Sequence, residues 1–151
     1  MVTVHGTVIA GPHRAVLIIG AAGSGKSALA LDLMARGARL VADDRVRIEP
    51  RDGQLIASAP DTLRGLVELR GIGIGRVIPR PYAALSLVVD LDATPDGRQP
   101  DPLTWHHRGI TLRRIAGRSI LQLCSVIELW LRDEIELIDE GGCEHDKGDS
   151  R

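Results

Sequence analysis

The pattern of apolar and polar positions predicts short strands separated by turns, with a helix after the first buried strand. Residues 15–19 form an unbroken apolar run between glycine-containing turns, which is typical of a strand buried on both faces. After the glycine-rich residues 20–25, apolar side chains recur four positions apart until Gly37, and glycine commonly ends a helix. The change of period at residues 20–25 therefore predicts a strand, a loop and an amphipathic helix in succession.

Alternation and turn residues predict further strands. Two hairpins are expected, one around Gly6 and one around Asp52-Gly53, a dipeptide that favours a tight two-residue turn. Residues 85–91 are mostly apolar and are expected to form a central strand of the sheet. The other predicted strands comprise residues 2–5, 7–9, 40–42, 45–48, 54–57, 66–69 and 110–115.

The last third of the chain contains one long amphipathic segment. Residues 120–138 carry apolar side chains on one face and charged side chains on the other, so we expect them to form the longest helix. The Pro- and Asp-rich residues 92–102 are predicted to be a loop, and the polar residues 139–151 a frayed tail. We therefore expect one α/β domain over residues 1–138, with a mixed sheet.

Composition narrows the class of protein. The 151 residues are 44% apolar and 26% charged with a net charge of -1, which excludes a disordered chain and gives no support for general nucleic-acid binding. Aromatic residues make up only 2%, so no base-stacking surface is expected. Cys124 and Cys143 are too few and too far apart for a disulfide framework or a zinc site. With no signal peptide or membrane span in the sequence, we expect a cytoplasmic protein.

The clearest chemical signal is the sequence Gly-Ala-Ala-Gly-Ser-Gly-Lys-Ser, which matches the phosphate-loop pattern in full. In such a loop, backbone N–H groups and a helix N-terminus face the phosphates, the lysine contacts the terminal phosphates and the last serine reaches Mg²⁺. A glycine-rich turn with a surface lysine is the weaker alternative. The candidate nucleotide-binding residues are Gly20, Ala21, Ala22, Gly23, Ser24, Gly25, Lys26 and Ser27.

Two adjacent carboxylates, Asp43 and Asp44, follow the predicted strand 40–42. Because sites in α/β proteins form at the carboxyl ends of strands, we expect the pair beside the phosphate loop. One carboxylate could bind Mg²⁺ and the other accept a proton from an attacking hydroxyl, although a simple polar turn is the alternative. The residues alone do not say which aspartate takes which role.

The order and spacing of three blocks resemble the catalytic domain of the HPr kinase/phosphorylase family. The first block is Val4-His5-Gly6, and the second runs from the phosphate loop through Asp43-Asp44 to Val46. The third, residues 66–74 with the sequence LVELRGIGI, is similar to the family's own signature. The resemblance extends from His5 to Leu91 and more weakly to Ile138, and it implies a phosphate-loop kinase domain similar to phosphoenolpyruvate carboxykinase.

The resemblance implies roles for the nucleotide and metal ligands. Lys26 and the loop backbone would hold the phosphates of ATP, and Ser27 and Glu68 would bind Mg²⁺. Asp44 would take the proton from the substrate serine, while Asp43 would assist it or bind the metal.

The resemblance also implies a set of supporting residues. His5 would contact the transferred phosphate, although an isolated strand histidine more often has a structural hydrogen bond. Arg70 would support the signature segment, and an ion pair between Arg70 and Glu68 is the rival interpretation. The family has an arginine in a polar loop, for which Arg98 is the candidate by order and Arg108 the rival. The other histidines, His13, His106, His107 and His145, are expected to be ordinary surface residues.

The implied activity is ATP- and Mg²⁺-dependent phosphorylation of a serine on HPr, the phosphocarrier of the phosphotransferase system, or on an HPr-like protein. The family also removes the phosphoryl group with inorganic phosphate, but residues 112–115 lack its proline-lysine pattern, so kinase activity is favoured. The resemblance further implies a homo-oligomer, a hexamer in the family. We expect a short form without the family's N-terminal domain. A small-molecule kinase and a non-catalytic nucleotide sensor are the alternative functions.

Overall fold

The computed structural model describes residues 3–98 and 100–138, so the predicted tail 139–151 lies outside the described residues. Within these ranges the chain forms eleven strands, two α-helices and a short 3-10 helix at Asp61–Leu63. The strands are β1 Thr3–His5, β2 Thr7–Ala10, β3 Ala15–Ile19, β4 Arg39–Ala42, β5 Arg45–Arg51, β6 Gln54–Ser58, β7 Leu66–Leu69, β8 Gly73–Arg76, β9 Tyr82–Asp90, β10 Leu103–His107 and β11 Ile110–Ala116. The helices are α1 Lys26–Ala35 and α2 Leu123–Leu131.

Nine of the described strands form one mixed sheet, as predicted. Its order is β1-β5-β6-β9-β3-β2-β4, and β11 with β10 extends from β9. Strands β3 and β11 run parallel to β9, and β4 has the same direction as β3 because both are antiparallel to β2. The carboxyl ends of these strands therefore lie along one edge of the sheet. Strands β7 and β8 form a separate two-stranded sheet.

Both faces of the central strands are buried, which explains the unbroken apolar run in β3. Val16 and Ile18 pack with Leu33 of α1 and Ile127 of α2 on one face. Leu17 and its neighbours on the opposite face pack with apolar residues of β5 and β6, because the sheet curls over itself. The two helices therefore cover one face, and strands of the same sheet cover the other. No helix among the described residues is long and apolar enough to cross a membrane.

The second hairpin and the first helix follow the sequence prediction closely. Asp52 and Gly53 both have left-handed backbone angles, with φ of 53° and 79°, as a tight turn between β5 and β6 requires. Helix α1 ends where Gly37 adopts a φ of 109°. There the N–H groups of Gly37 and Ala38 donate to the carbonyls of Met34 and Leu33, which is a Schellman motif.

The hairpin predicted around Gly6 is wrong. Strand β1 pairs with β5, whereas β2 pairs with β3 and β4, so β1 and β2 are successive strands that do not pair with each other. One residue between them leaves no two-residue turn to reverse the chain. Gly6 instead packs closely against β3: a Cβ on Gly6 would lie only 2.9 Å from the Ile18 carbonyl oxygen. The Gly6 N–H donates to Asp44 O.

The C-terminal helix is much shorter than predicted. Helix α2 contains nine residues against ten in α1, and the other residues of 120–138 are not α-helical. The helix ends because Asp133 adopts a φ of 60°, and the N–H groups of Asp133 and Glu134 donate to Trp130 O and Leu129 O. Arg14 reinforces this end, since its guanidinium lies 4.0 Å from the Trp130 ring centroid and donates to Trp130 O.

Strand β10 was not predicted, and it changes the surroundings of one histidine. His107 lies at the end of β10, half-buried, with its ring stacked on Trp105 at a centroid distance of 5.3 Å. Burial, with a smaller contribution from Arg108, lowers the pKa of His107. The expectation of an ordinary surface residue is therefore wrong for His107, whereas His13 and His106 are exposed as expected. His145 lies outside the described residues.

Candidate active site

The phosphate-loop sequence folds as a tight loop between β3 and α1. Ser24 donates its N–H to Ala21 O at 3.0 Å, which closes a turn inside the loop. Gly25 precedes α1 with a φ of 103°, a backbone conformation that residues other than glycine rarely adopt. At Gly20 a Cβ would lie only 2.6 Å from Ser24 Oγ and 3.2 Å from Ser24 Cβ, so a larger residue here would crowd the Ser24 side chain. The free N–H groups of the first turn of α1 face the end of the loop.

Lys26 is buried within this loop, with only 7% of its surface exposed. Its ammonium donates hydrogen bonds to Gly20 O at 2.8 Å and to Ala21 O at 3.0 Å. A lysine ammonium has three N–H donors, so a further donor remains for an anion. The loop carbonyls thus hold the charge in place next to the N-terminus of α1.

Asp43 is also buried, and three hydrogen-bond donors fix its carboxylate. Thr7 Oγ1 donates to Oδ1 at 2.8 Å, and the Glu68 backbone N–H donates to Oδ2 at 3.0 Å. Ser27 Oγ lies 2.8 Å from Oδ1 and 3.1 Å from Oδ2. Topology brings these groups together, because Asp43 directly follows β4, Thr7 begins the neighbouring β2, and Ser27 lies in the first turn of α1, after β3 and the phosphate loop. Thr7 is not among the site residues predicted from the sequence, because a threonine in an apolar strand gives no distinctive signal.

Asp44 points away from this network, into solvent at the mouth of the cleft. Its φ of 75° turns the chain between β4 and β5, so consecutive aspartates face different surroundings. The Asp44 side chain is 65% exposed, and its Oδ1 lies 3.0 Å from Nε2 of His5. Pairing of His5 with Arg45 in strands β1 and β5 places the imidazole there. The two carboxylates that the sequence could not tell apart are therefore distinct: one is buried beside Ser27, and the other is accessible beside His5.

The signature segment forms the β7–β8 hairpin, which closes one side of the site. The side chain of Glu68 is exposed and lines the same cleft, while its backbone holds Asp43. Nη2 of Arg70 lies 3.8 Å from the position of a Cβ on Gly23, so the guanidinium sits beside the phosphate loop. Over the residues that the structure describes, no ion pair joins Glu68 to Arg70, contrary to the rival interpretation.

A cleft of about 730 Å³ unites most of the candidate residues. Its walls include the phosphate loop, the two aspartates and the signature hairpin; of the predicted site residues, those lining it are His5, Ala22, Gly23, Gly25, Lys26, Ser27, Asp43, Asp44, Glu68 and Arg70. Neither arginine proposed for the polar loop is among its lining residues. Arg98 lines a separate cavity of about 460 Å³ beside the start of α2, and Arg108 lies exposed in the turn between β10 and β11.

The donor set of the cleft fits a magnesium nucleotide. Ser24 Oγ is buried and has no hydrogen-bond partner among the described residues, which leaves a hydroxyl donor inside the loop. A hydroxyl and a carboxylate, those of Ser27 and Asp43, lie together beside the loop. In the described ranges no cluster of three or more His, Cys, Asp or Glu side chains could hold a metal. Mg²⁺ at nucleotide sites needs no such cluster, because it typically takes one or two protein ligands together with phosphate oxygens and water.

Comparison with known proteins decides the family. The family model for the HPr Serine kinase C-terminal domain matches residues 1–120. The chain belongs to this family. The HPr kinase/phosphorylase of Geobacillus sp. (strain WCH70) is 43% identical over 108 residues, which cover 66% of this chain and 35% of that protein. The HPr kinase/phosphorylase of Limosilactobacillus reuteri (strain DSM 20016) is 44% identical over 103 residues, 62% of this chain and 32% of that protein. The chain thus spans about a third of the length of these curated relatives.

A solved structure confirms the fold. The HPr(Ser) kinase/phosphatase from Coxiella burnetii superimposes with a TM-score of 0.76 at 28% identity, over 88% of this chain and 95% of that one. The resemblance inferred from three short sequence blocks, and the phosphate-loop kinase fold that it implied, are therefore confirmed.

Proposed function

We propose that residues 1–138 form the catalytic domain of an ATP- and Mg²⁺-dependent protein kinase that phosphorylates a serine of HPr or an HPr-like phosphocarrier. The observation that best supports this proposal is that the two aspartates in the cleft differ in burial and in hydrogen-bond partners. Asp43 is buried against Ser27 next to Lys26, and Asp44 is exposed at the cleft mouth beside His5. A phosphoryl-transfer site needs both a fixed metal ligand and an accessible proton acceptor.

The nucleotide would be held by the phosphate loop and by Lys26, with Ser27 and Asp43 as the ligands of Mg²⁺ and Glu68 as a further carboxylate. When bound, Mg²⁺ neutralises charge on the phosphates. The contribution of the chain is positioning: three donors, from Thr7, Ser27 and the Glu68 backbone, keep the Asp43 carboxylate in one orientation. Arg70, beside Gly23, would add positive charge on the other side of the loop.

Asp44 would act as the general base. A serine hydroxyl is a poor nucleophile, and its proton would move to Asp44 as the oxygen attacks the phosphorus. Oδ1 of Asp44 is taken by His5, whereas Oδ2 has no partner among the described residues and is free to accept the proton. His5 would thus orient the base, and its imidazole would contact the transferred phosphoryl group.

The remaining expectations are part of the same proposal. The attack of inorganic phosphate on phosphoserine would use the same groups, but the kinase reaction is favoured because residues 112–115 lack the family's proline-lysine pattern. We propose that the protein acts as a homo-oligomer, the hexamer implied by the family, and works in the cytoplasm, where the free thiol of Cys124 stays reduced. The family's polar-loop arginine, predicted here to be Arg98 or Arg108, stays a prediction. Neither side chain lines the cleft.

Transfer of label from γ-labelled ATP to HPr in the presence of Mg²⁺ tests the proposal. Wild-type protein should label a serine, and Asp44→Asn should lower the rate by about 10²–10⁴-fold while nucleotide still binds. Nucleotide binding without labelling of HPr would refute the kinase and favour a sensor module. Labelling of a metabolite instead of HPr would favour a small-molecule kinase.

A further inference from the structure

The first peptides of the phosphate loop are held from two opposite sides. From inside, Lys26 Nζ donates to the carbonyls of Gly20 and Ala21. From outside, the Ala21 N–H donates to Oδ2 of Asp92 at 2.8 Å. The same short stretch of backbone therefore connects the Asp92 carboxylate to the ammonium that would contact phosphate.

Asp92 is itself placed by the end of the central strand β9. Leu91 extends the pairing of β9 with β3 by donating its N–H to Ile19 O at 2.9 Å. The Asp92 N–H then donates to Oδ1 of Asp90 at 2.9 Å. Asp90 is mostly buried, with 17% of its side chain exposed, and its Oδ2 accepts from Arg114 at 3.1 Å. A chain of contacts thus runs from β11 through β9 to the start of the loop.

The charge of Asp92 works against the binding of an anion. A carboxylate close to a phosphate site repels the phosphates, so attraction of the ligand does not explain its position. The hydrogen bond to Ala21 does, because a charged acceptor fixes a backbone N–H more strongly than water or a neutral group. If repulsion dominates, removing the carboxylate should tighten nucleotide binding. If positioning of the loop dominates, removing it should weaken nucleotide binding.

We propose that Asp92 is a positioning residue of the phosphate loop: it fixes the Gly20-Ala21 backbone and, through those carbonyls, the ammonium of Lys26. This inference rests on the proposed function, because it assigns the loop a nucleotide. It makes the polar segment after β9 a part of the nucleotide site, although Asp92 touches no reacting group.

Three variants test this role. Asp92→Ala removes both the charge and the acceptor, Asp92→Asn keeps an oxygen acceptor without the charge, and Asp101→Ala is the matched control. Asp101 is an exposed carboxylate further along the same connection. The first readout is hydrogen exchange of the Ala21 amide, followed by NMR in the nucleotide-free protein. The second is the Kd for the non-hydrolysable analogue AMP-PNP with Mg²⁺.

Positioning predicts that Asp92→Ala speeds exchange of the Ala21 amide and weakens AMP-PNP binding by about three- to tenfold, the loss expected for one hydrogen bond. Asp92→Asn keeps a weaker, neutral acceptor, so its exchange rate and Kd should lie between those of the wild type and Asp92→Ala, and Asp101→Ala should be unchanged. Partial rescue by asparagine separates positioning from a general loss of stability. Equal or tighter binding by Asp92→Ala, or unchanged exchange at Ala21, would overturn the proposal. Failure of the wild-type protein to bind AMP-PNP would instead refute the proposed function, and it is seen before any variant is compared.

Discussion

The hydroxyl of Thr7 offers a sharp test of how the buried carboxylate is held. Thr7 has no exposed surface, and its Oγ1 donates to Asp43 Oδ1 at 2.8 Å. Thr7→Val replaces this donor by a methyl group of similar size, so the shape of the core is kept while one hydrogen bond to a charged group is lost. Such a bond contributes about 1.5–3 kcal/mol, and its loss leaves a carboxylate oxygen facing a methyl group.

The expected result is a fall of about 1.5–3 kcal/mol in the free energy of unfolding. For a chain of this length each kcal/mol lowers Tm by about 2–4 °C, so Tm should fall by about 3–12 °C. Urea unfolding followed by circular dichroism measures the free energy directly. Thr3→Val, the same change at an exposed position of β1, should stay within about 0.5 kcal/mol of the wild type.

The same variant has a functional readout. Because Asp43 keeps Ser27 and the Glu68 N–H but loses one restraint, Mg²⁺-dependent nucleotide affinity should weaken, whereas affinity measured with EDTA should change little. Unchanged stability together with unchanged Mg²⁺ dependence would refute the assignment of Thr7 as a support of the metal ligand.

Two further predictions follow from packing and from protonation. Gly11→Ala should lower the urea midpoint, because its Cβ would lie 2.2 Å from Leu131 O, and such overpacking costs about 1–3 kcal/mol; an unchanged midpoint would mean that α2 can move away freely. Burial lowers the pKa of His107 below 6.5, so the unfolded chain takes up a proton that the folded chain resists as pH falls through that range, and stability should decrease. His107→Gln should flatten the fall in Tm between about pH 7.5 and about pH 5.5; a wild-type slope in this variant would exclude His107 as the cause.

Local signals in the sequence predict the phosphate loop and the Asp52-Gly53 hairpin well. In both, the residue types are required by the backbone itself: Gly25 and Gly53 adopt left-handed angles that few other residues tolerate. The strand, loop and helix around Lys26 are contiguous in sequence, so their geometry does not depend on distant residues. The family resemblance then added Asp43, Asp44 and the signature segment to the predicted site.

Long-range pairing is what the sequence did not reveal. The pairing of β1 with β5, and not with β2, brings His5 to Asp44, and no local pattern at Gly6 encodes that choice. The roles of Asp43 and Asp44 separate only when the turn after β4 rotates one inward and one outward. The early end of α2 depends on an aspartate in a left-handed conformation, held by Arg14 from far earlier in the chain.

The central claim is that this cleft transfers a phosphoryl group from ATP to a serine of an HPr-like protein. Mass spectrometry of HPr after incubation with ATP, Mg²⁺ and either the wild-type chain or Lys26→Ala tests it most directly. We expect one phosphoryl group on a serine with the wild type and none with Lys26→Ala. Unmodified HPr with a wild-type chain that binds Mg²⁺-ATP, or equal modification by Lys26→Ala, would contradict the account.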